Sequence, residues 1–108
     1  MRYMLLICTD PDGEPEDSAD VPIDQWVDEL DASGERILGE RLPAETAKLV
    51  RRRGERLIVT DGPFAESREQ IAGFDIIEAD SMERALEIAA RHPMARAGLV
   101  EVRQFYQD

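Results

Sequence analysis

The run Arg2 to Thr9, RYMLLICT, is apolar on both of its alternating sets, with Tyr3, Leu5 and Ile7 on one and Met4, Leu6 and Cys8 on the other. A strand of this kind needs cover on both faces, so the chain cannot be a simple layer with one wet side. The run is too short to cross a membrane as a helix and meets Asp10 without a small-residue cleavage site, so it reads as a buried strand and not as a leader.

The rest of the chain supplies the cover. Ile23, Trp26, Val27 and Leu30 recur at helical spacing, with Pro22 at the start and Gly34 at the end, which predicts an amphipathic helix. Trp26 on that stripe reads as core before it reads as pocket lining. Ile37 to Leu42 is a short strand. Ala47 to Arg52 and Glu55 to Thr60 form a hairpin around Arg53-Gly54-Glu55, and its arginine-rich tip reads as a solvated edge that discourages aggregation. Gly73 to Ala79 is the next strand. Asp80 and Glu83 have capping-box spacing for a second helix whose stripe is Met82, Ala85, Leu86 and Ala89, and His92-Pro93 ends it. Leu99 to Tyr106 closes the chain as a strand.

This order predicts an α+β fold, a ferredoxin-like split βαβ sandwich with an antiparallel sheet and two helices on one face. Two helices cover one side only. The doubly apolar first strand therefore calls for a second copy packed sheet to sheet, a homodimer.

A length of 108 residues with 43% hydrophobic content fits one folded domain, 1–108. The net charge of −11 argues against nucleic-acid binding and against anionic membranes. The lone Cys8 excludes an intrachain disulfide and fits a reducing cytoplasm. With one histidine and no cysteine cluster, neither a metal nor another cofactor is expected. The acidic segment Asp10 to Asp20 matches no calcium loop and reads as solvated and mobile.

The stretch VTDGPFAES, Val59 to Ser67, looks at first like a hairpin turn, yet Pro63 follows Asp61-Gly62 and the next strand waits until about Ile71. It reads as a constrained loop, with Asp61 capping its start and Phe64 anchoring its middle to the core. Asp61 and Glu66 flank Phe64, and as a carboxylate pair they are candidates for proton transfer or for a divalent cation. On the strand Gly73 to Ala79, Asp75 shares a face with Ile77 and Ala79, so it must be paired or titrate upward. Candidate partners are the Glu101–Arg103 pair, Arg68 and Arg96. His92 reads either as a general base oriented by a carboxylate or as a donor that caps the helix end.

The opening RYMLLI, the central VTDGPFAESREQIAGFDIIEADSMERALEIAARHP and the closing VEVRQF together resemble the DGPF branch of the YCII-related superfamily. The resemblance implies a dimeric α+β barrel. It also implies a setting beside extracytoplasmic-function sigma factors, where many members of the branch are encoded. Enzymatic relatives, dehydrochlorinase-like or muconolactone-isomerase-like, are described as using a His–Asp pair in a cleft. They carry their histidine near the first helix, whereas this chain has only His92. Two functions follow as expectations. One is a cytoplasmic, homodimeric small-molecule-binding or regulatory module, with Phe64, Glu66, Arg68 and Arg96 as candidate ligand contacts. The other is a lyase or isomerase that moves protons with His92 and Asp61 or Asp75.

Overall fold

The structure, a computed structural model, describes residues 1–64 and 69–107. Its elements run β1 (Arg2–Thr9), α1 (Ile23–Ser33), β2 (Arg36–Arg41), β3 (Lys48–Arg53), β4 (Arg56–Asp61), β5 (Ile71–Glu78), α2 (Met82–Arg91), α3 (Met94–Ala97) and β6 (Gly98–Gln104), with short 3-10 turns at Glu16–Ser18 and Ala44–Thr46. Strands β2, β5, β1 and β6 lie in that order in one antiparallel sheet. Putting β1 and β5 side by side at its centre is the split βαβ arrangement expected of a ferredoxin-like α+β fold.

One face of the sheet carries the core. Tyr3, Leu5 and Ile7 of β1 stand beside Ile77 of β5 and pack under Trp26 and Leu30 of α1 and Ala85, Ile88 and Ala89 of α2. Helix α1 ends where the spacing places its end, because Gly34 takes φ 80° and its N–H returns to the Asp31 carbonyl. Helix α2 is capped by Ser81, whose Oγ accepts from the Arg84 N–H at 3.1 Å, and not by Asp80. Its buried stripe is Ala85, Ile88 and Ala89, while Met82 and Leu86 face outward. The helix is rolled so that its small alanines meet the sheet and Ile88 fills the space between them.

The hairpin forms as expected but leaves the main sheet. β3 and β4 pair only with each other, with Val50 opposite Val59 and Lys48 opposite Asp61. Val50, Leu57 and Val59 share one face of this ribbon and are exposed, Val50 by 66%. The ribbon and the uncovered sheet face make a flat molecule of 48 × 39 × 19 Å with a radius of gyration of 15.8 Å. A compact chain of this length has about 13 Å.

The acidic segment makes defined contacts with the α3 end of the chain. The Glu14 N–H donates to the Arg96 carbonyl at 2.8 Å, and the Arg96 guanidinium holds Asp20 at 2.9 Å. Gly13 sits so close to α3 that a Cβ there would lie 1.9 Å from the Ala97 carbonyl oxygen.

Candidate functional site

Between α1, the 16–22 segment and the β2–β5 side of the sheet lies a cleft of about 900 Å³. Its walls are mostly apolar, with Ile7, Trp26, Val27, Ala72 and Met94, and its polar groups are Asp75, His92, Arg36 and Arg41, with Glu16 and Glu40 also along it.

Asp75 arrives there by strand alternation. It stands directly opposite Leu5 on β1 and Gly39 on β2, on the helix-facing side, and is 6% exposed. Its partner is Arg36 at the start of β2, whose Nε donates to Oδ1 at 3.0 Å. The expected alternatives do not reach it. Glu101 and Arg103 pair with each other on the opposite face of the sheet, as the register Leu6 to Glu101 requires. Arg96 is held by Glu14 and Asp20, and Arg68 lies outside the described residues. Burial pushes the Asp75 carboxyl above the usual carboxylate range, and the hydrogen bond and charge of Arg36 offset only part of that. Gly39 makes the arrangement possible. A Cβ at that position would lie 2.0 Å from Asp75 Oδ1 and 2.7 Å from Arg36 Nη2.

His92 ends α2 and is likewise 6% exposed. Its backbone N–H donates to the Ala89 carbonyl at 3.1 Å, but its ring donates to no helix carbonyl among the described residues. Its Nδ1 accepts from the Met94 N–H at 2.9 Å, which leaves the ring proton on Nε2. The ring meets Trp26 edge to face, with centroids 4.6 Å apart, while the indole Nε1–H donates to the Ile88 carbonyl at 3.0 Å. Burial with no counter-charge pushes the imidazole down to about 4, so it is a neutral donor at pH 7 and a weak base. No carboxylate among the described residues bonds it.

The remaining candidates lie elsewhere. Asp61 closes β4, exposed, and pairs with Lys48 across the ribbon. It borders neither the cleft nor Asp75 and His92. Phe64 is not an anchor in the core. It is exposed, at the lip of a second groove of about 670 Å³ on the other sheet face, with Leu6, Cys8, Leu49, Ile71 and Leu99. The Thr9 N–H donates to the Gln70 carbonyl at 2.8 Å, and the Gln70 side chain donates from Nε2 to the Phe64 carbonyl at 3.2 Å. The Gly62–Pro63 peptide is cis. Glu66, like Arg68, falls outside the described residues. Among the described residues no cluster of His, Cys, Asp and Glu is arranged to hold a metal ion, and no helix is long and apolar enough to cross a membrane.

Residues 1–107 match the YCII-related domain. The chain belongs to the YCII-related family. An uncharacterized protein of Rhizobium meliloti (strain 1021) is 42% identical over 48 residues, a stretch that covers 44% of this chain and 39% of that protein. The YCII-related chain thus spans well under half of the curated relative it matches. Reasoning on the sequence missed Arg36, and the one signal that pointed toward it was the need of a carboxylate on an apolar strand face for a cation.

Proposed function

We propose that this YCII-related protein is a cytoplasmic homodimeric module that binds a small molecule in the cleft beneath α1. The observation that carries the reading is that two polar side chains, Asp75 and His92, each more than nine-tenths buried, border one cleft whose walls are mostly apolar. Small-molecule sites are built this way, with a few fixed polar groups on a greasy surface within about 300–1,000 Å³. The lyase or isomerase reading draws support from the same sharing of the cleft by Asp75 and His92. It is weakened by His92 being a poor base without a carboxylate to orient it, and by the remote position of Asp61. A binding role is also what a regulatory accessory beside a sigma factor would require.

The homodimer rests on the uncovered sheet face. Leu38, Ile76 and Met4 lie in one row across it, Phe74 and Leu6 in the next, and Leu99 beside Cys8, while α1 and α2 pack on the opposite face. The apolar side of the ribbon adds surface that water alone should not face, because a lone two-stranded hairpin is marginal in water.

The site is tested with a thermal-shift screen of small aromatic compounds on wild type and on Val27→Trp, which fills the cleft. Compounds that stabilise wild type should lose that effect in the variant; an unchanged response in Val27→Trp would refute the site. Sedimentation as a monomer at micromolar concentration would refute the dimer.

A further inference from the structure

We propose that the cleft selects molecules presenting a hydrogen-bond donor, foremost a primary ammonium group, on an aromatic or aliphatic body, and rejects the matching carboxylates. This rests on the cleft being a binding site and names the chemistry it accepts.

The selectivity follows from which hydrogen-bonding positions are already taken. Arg36 lines the cleft beside Asp75, and each of its three nitrogens makes a hydrogen bond. Nε bonds Asp75, Nη1 bonds Asp31 at 3.4 Å, and Nη2 reaches the Gly39 carbonyl at 3.5 Å. Three of its five N–H groups are thus spent, and its charge is already shared between the Asp75 and Asp31 carboxylates, which lowers its pull on a further anion.

Asp75 is in the opposite condition. Only Oδ1 is occupied, and Oδ2 accepts no hydrogen bond among the described residues. Among the described residues Tyr3 Oη is the one side-chain polar atom fully sealed without a partner, so Asp75 Oδ2, on a residue that lines the cleft, keeps access to it. The same holds for His92 Nε2, a neutral N–H that can donate to a second group of the ligand. The floor therefore offers one anionic acceptor and one neutral donor, set against Trp26 and Val27.

Charge at the mouth does not reverse this. Arg41 stands there with Glu16 and Glu40, and the whole chain carries −11. A field of that sign raises the local concentration of cations and lowers that of anions. A site whose buried acceptor must be filled also discriminates against analogues lacking the donor.

The test is isothermal titration calorimetry with three probes on one skeleton, phenethylamine, 2-phenylethanol and phenylacetate. The amine should bind at least about tenfold more tightly than phenylacetate, with the alcohol between them. Asp75→Asn should lower the amine's affinity about tenfold and leave the alcohol within about threefold. Equal binding of amine and carboxylate overturns the proposal, as does an Asp75→Asn variant that keeps the amine's affinity. If that variant does not fold, the wild-type ratio of amine to carboxylate decides. If all three probes bind equally and all are lost in Val27→Trp, the donor selectivity falls and the cleft stands. If none binds wild type, both fall.

Discussion

Gly39→Ala should be far more damaging than a glycine-to-alanine change in an edge strand has any general reason to be. The new Cβ would lie 2.0 Å from Asp75 Oδ1 and 2.8 Å from its Cγ. Ordinary contact begins near 3.4 Å, so the carboxylate must retreat by roughly 1.4 Å. The Arg36 Nε–Oδ1 contact of 3.0 Å would then open beyond hydrogen-bonding range. The pair is largely out of water, with side chains 19% and 9% exposed, and separating such a pair costs about 3–5 kcal/mol when nothing replaces the lost partner. Asp31 keeps part of its hold on Arg36, which lowers the expected loss to about 2–4 kcal/mol. Urea unfolding followed by circular dichroism measures it, and a double-mutant cycle isolates the cause. In an Asp75→Ala background only the Arg36 guanidinium still meets the new Cβ, at 2.7 Å, and the flexible end of that side chain can yield, so Gly39→Ala should then cost less than about 1 kcal/mol. A cost of similar size in both backgrounds would show that the Cβ does not act through Asp75, and the account of Gly39 as the seat of that carboxylate would be wrong.

His92 is held near 4 against an ordinary 6.5, so below pH 6.5 the unfolded chain binds a proton that the folded one refuses. Stability should therefore fall as pH drops from 6.5 towards 4 and level off below, a loss of roughly 3 kcal/mol from this group. In His92→Asn, which can still accept from the Met94 N–H, that part of the slope should vanish; an NMR titration of His92 with a midpoint near 6.5 would contradict it. Tyr3→Phe removes a fully buried hydroxyl that has no partner among the described residues, so it should leave stability unchanged or raise it by about 1 kcal/mol, read as a shift in the urea midpoint. A loss above 1 kcal/mol would mean that the hydroxyl is bonded. If the proposed homodimer forms through this sheet face, Leu6→Glu, placed mid-sheet opposite Phe74 and Glu101, should sediment as a monomer at concentrations where the wild type sediments as a larger species. An unchanged sedimentation coefficient would place the contact elsewhere.

What could be read from the residues was what local rules govern. Strand β1 announced itself by composition, α1 by its period and by Gly34, and the buried position of Asp75 by simple alternation along β5. Arg36 could not be found the same way. It reaches Asp75 only because β2 is paired with β5 through an irregularity between Arg36 and Leu38, and that register is set by tertiary packing. His92 was visible as a residue, but its charge state depends on burial against Trp26 of α1, which is far from the end of α2 in the chain. Ser81 and Asp80 are both good caps, and which one serves depends on where the backbone leaves the helix. The stripe read from spacing took in Met82 and Leu86 and left out Ile88, whereas the roll of the helix against the sheet buries Ile88 and leaves those two exposed. The hairpin was legible as a hairpin. Its separation from the sheet was not, because no pattern within β3 or β4 states which neighbour they lack.

That separation shapes the electrical character of the molecule. The ribbon from Lys48 to Asp61 carries Lys48, Arg51, Arg52, Arg53 and Arg56 against only Glu55 and Asp61, so the rest of the chain is more acidic than the total of −11 suggests. The protein is therefore a dipole with a basic arm and an acidic body, and the arm lies at its least packed end. Two copies approaching in dilute buffer would be turned arm towards body before any apolar surface touched, and physiological salt would confine that guidance to about 8 Å.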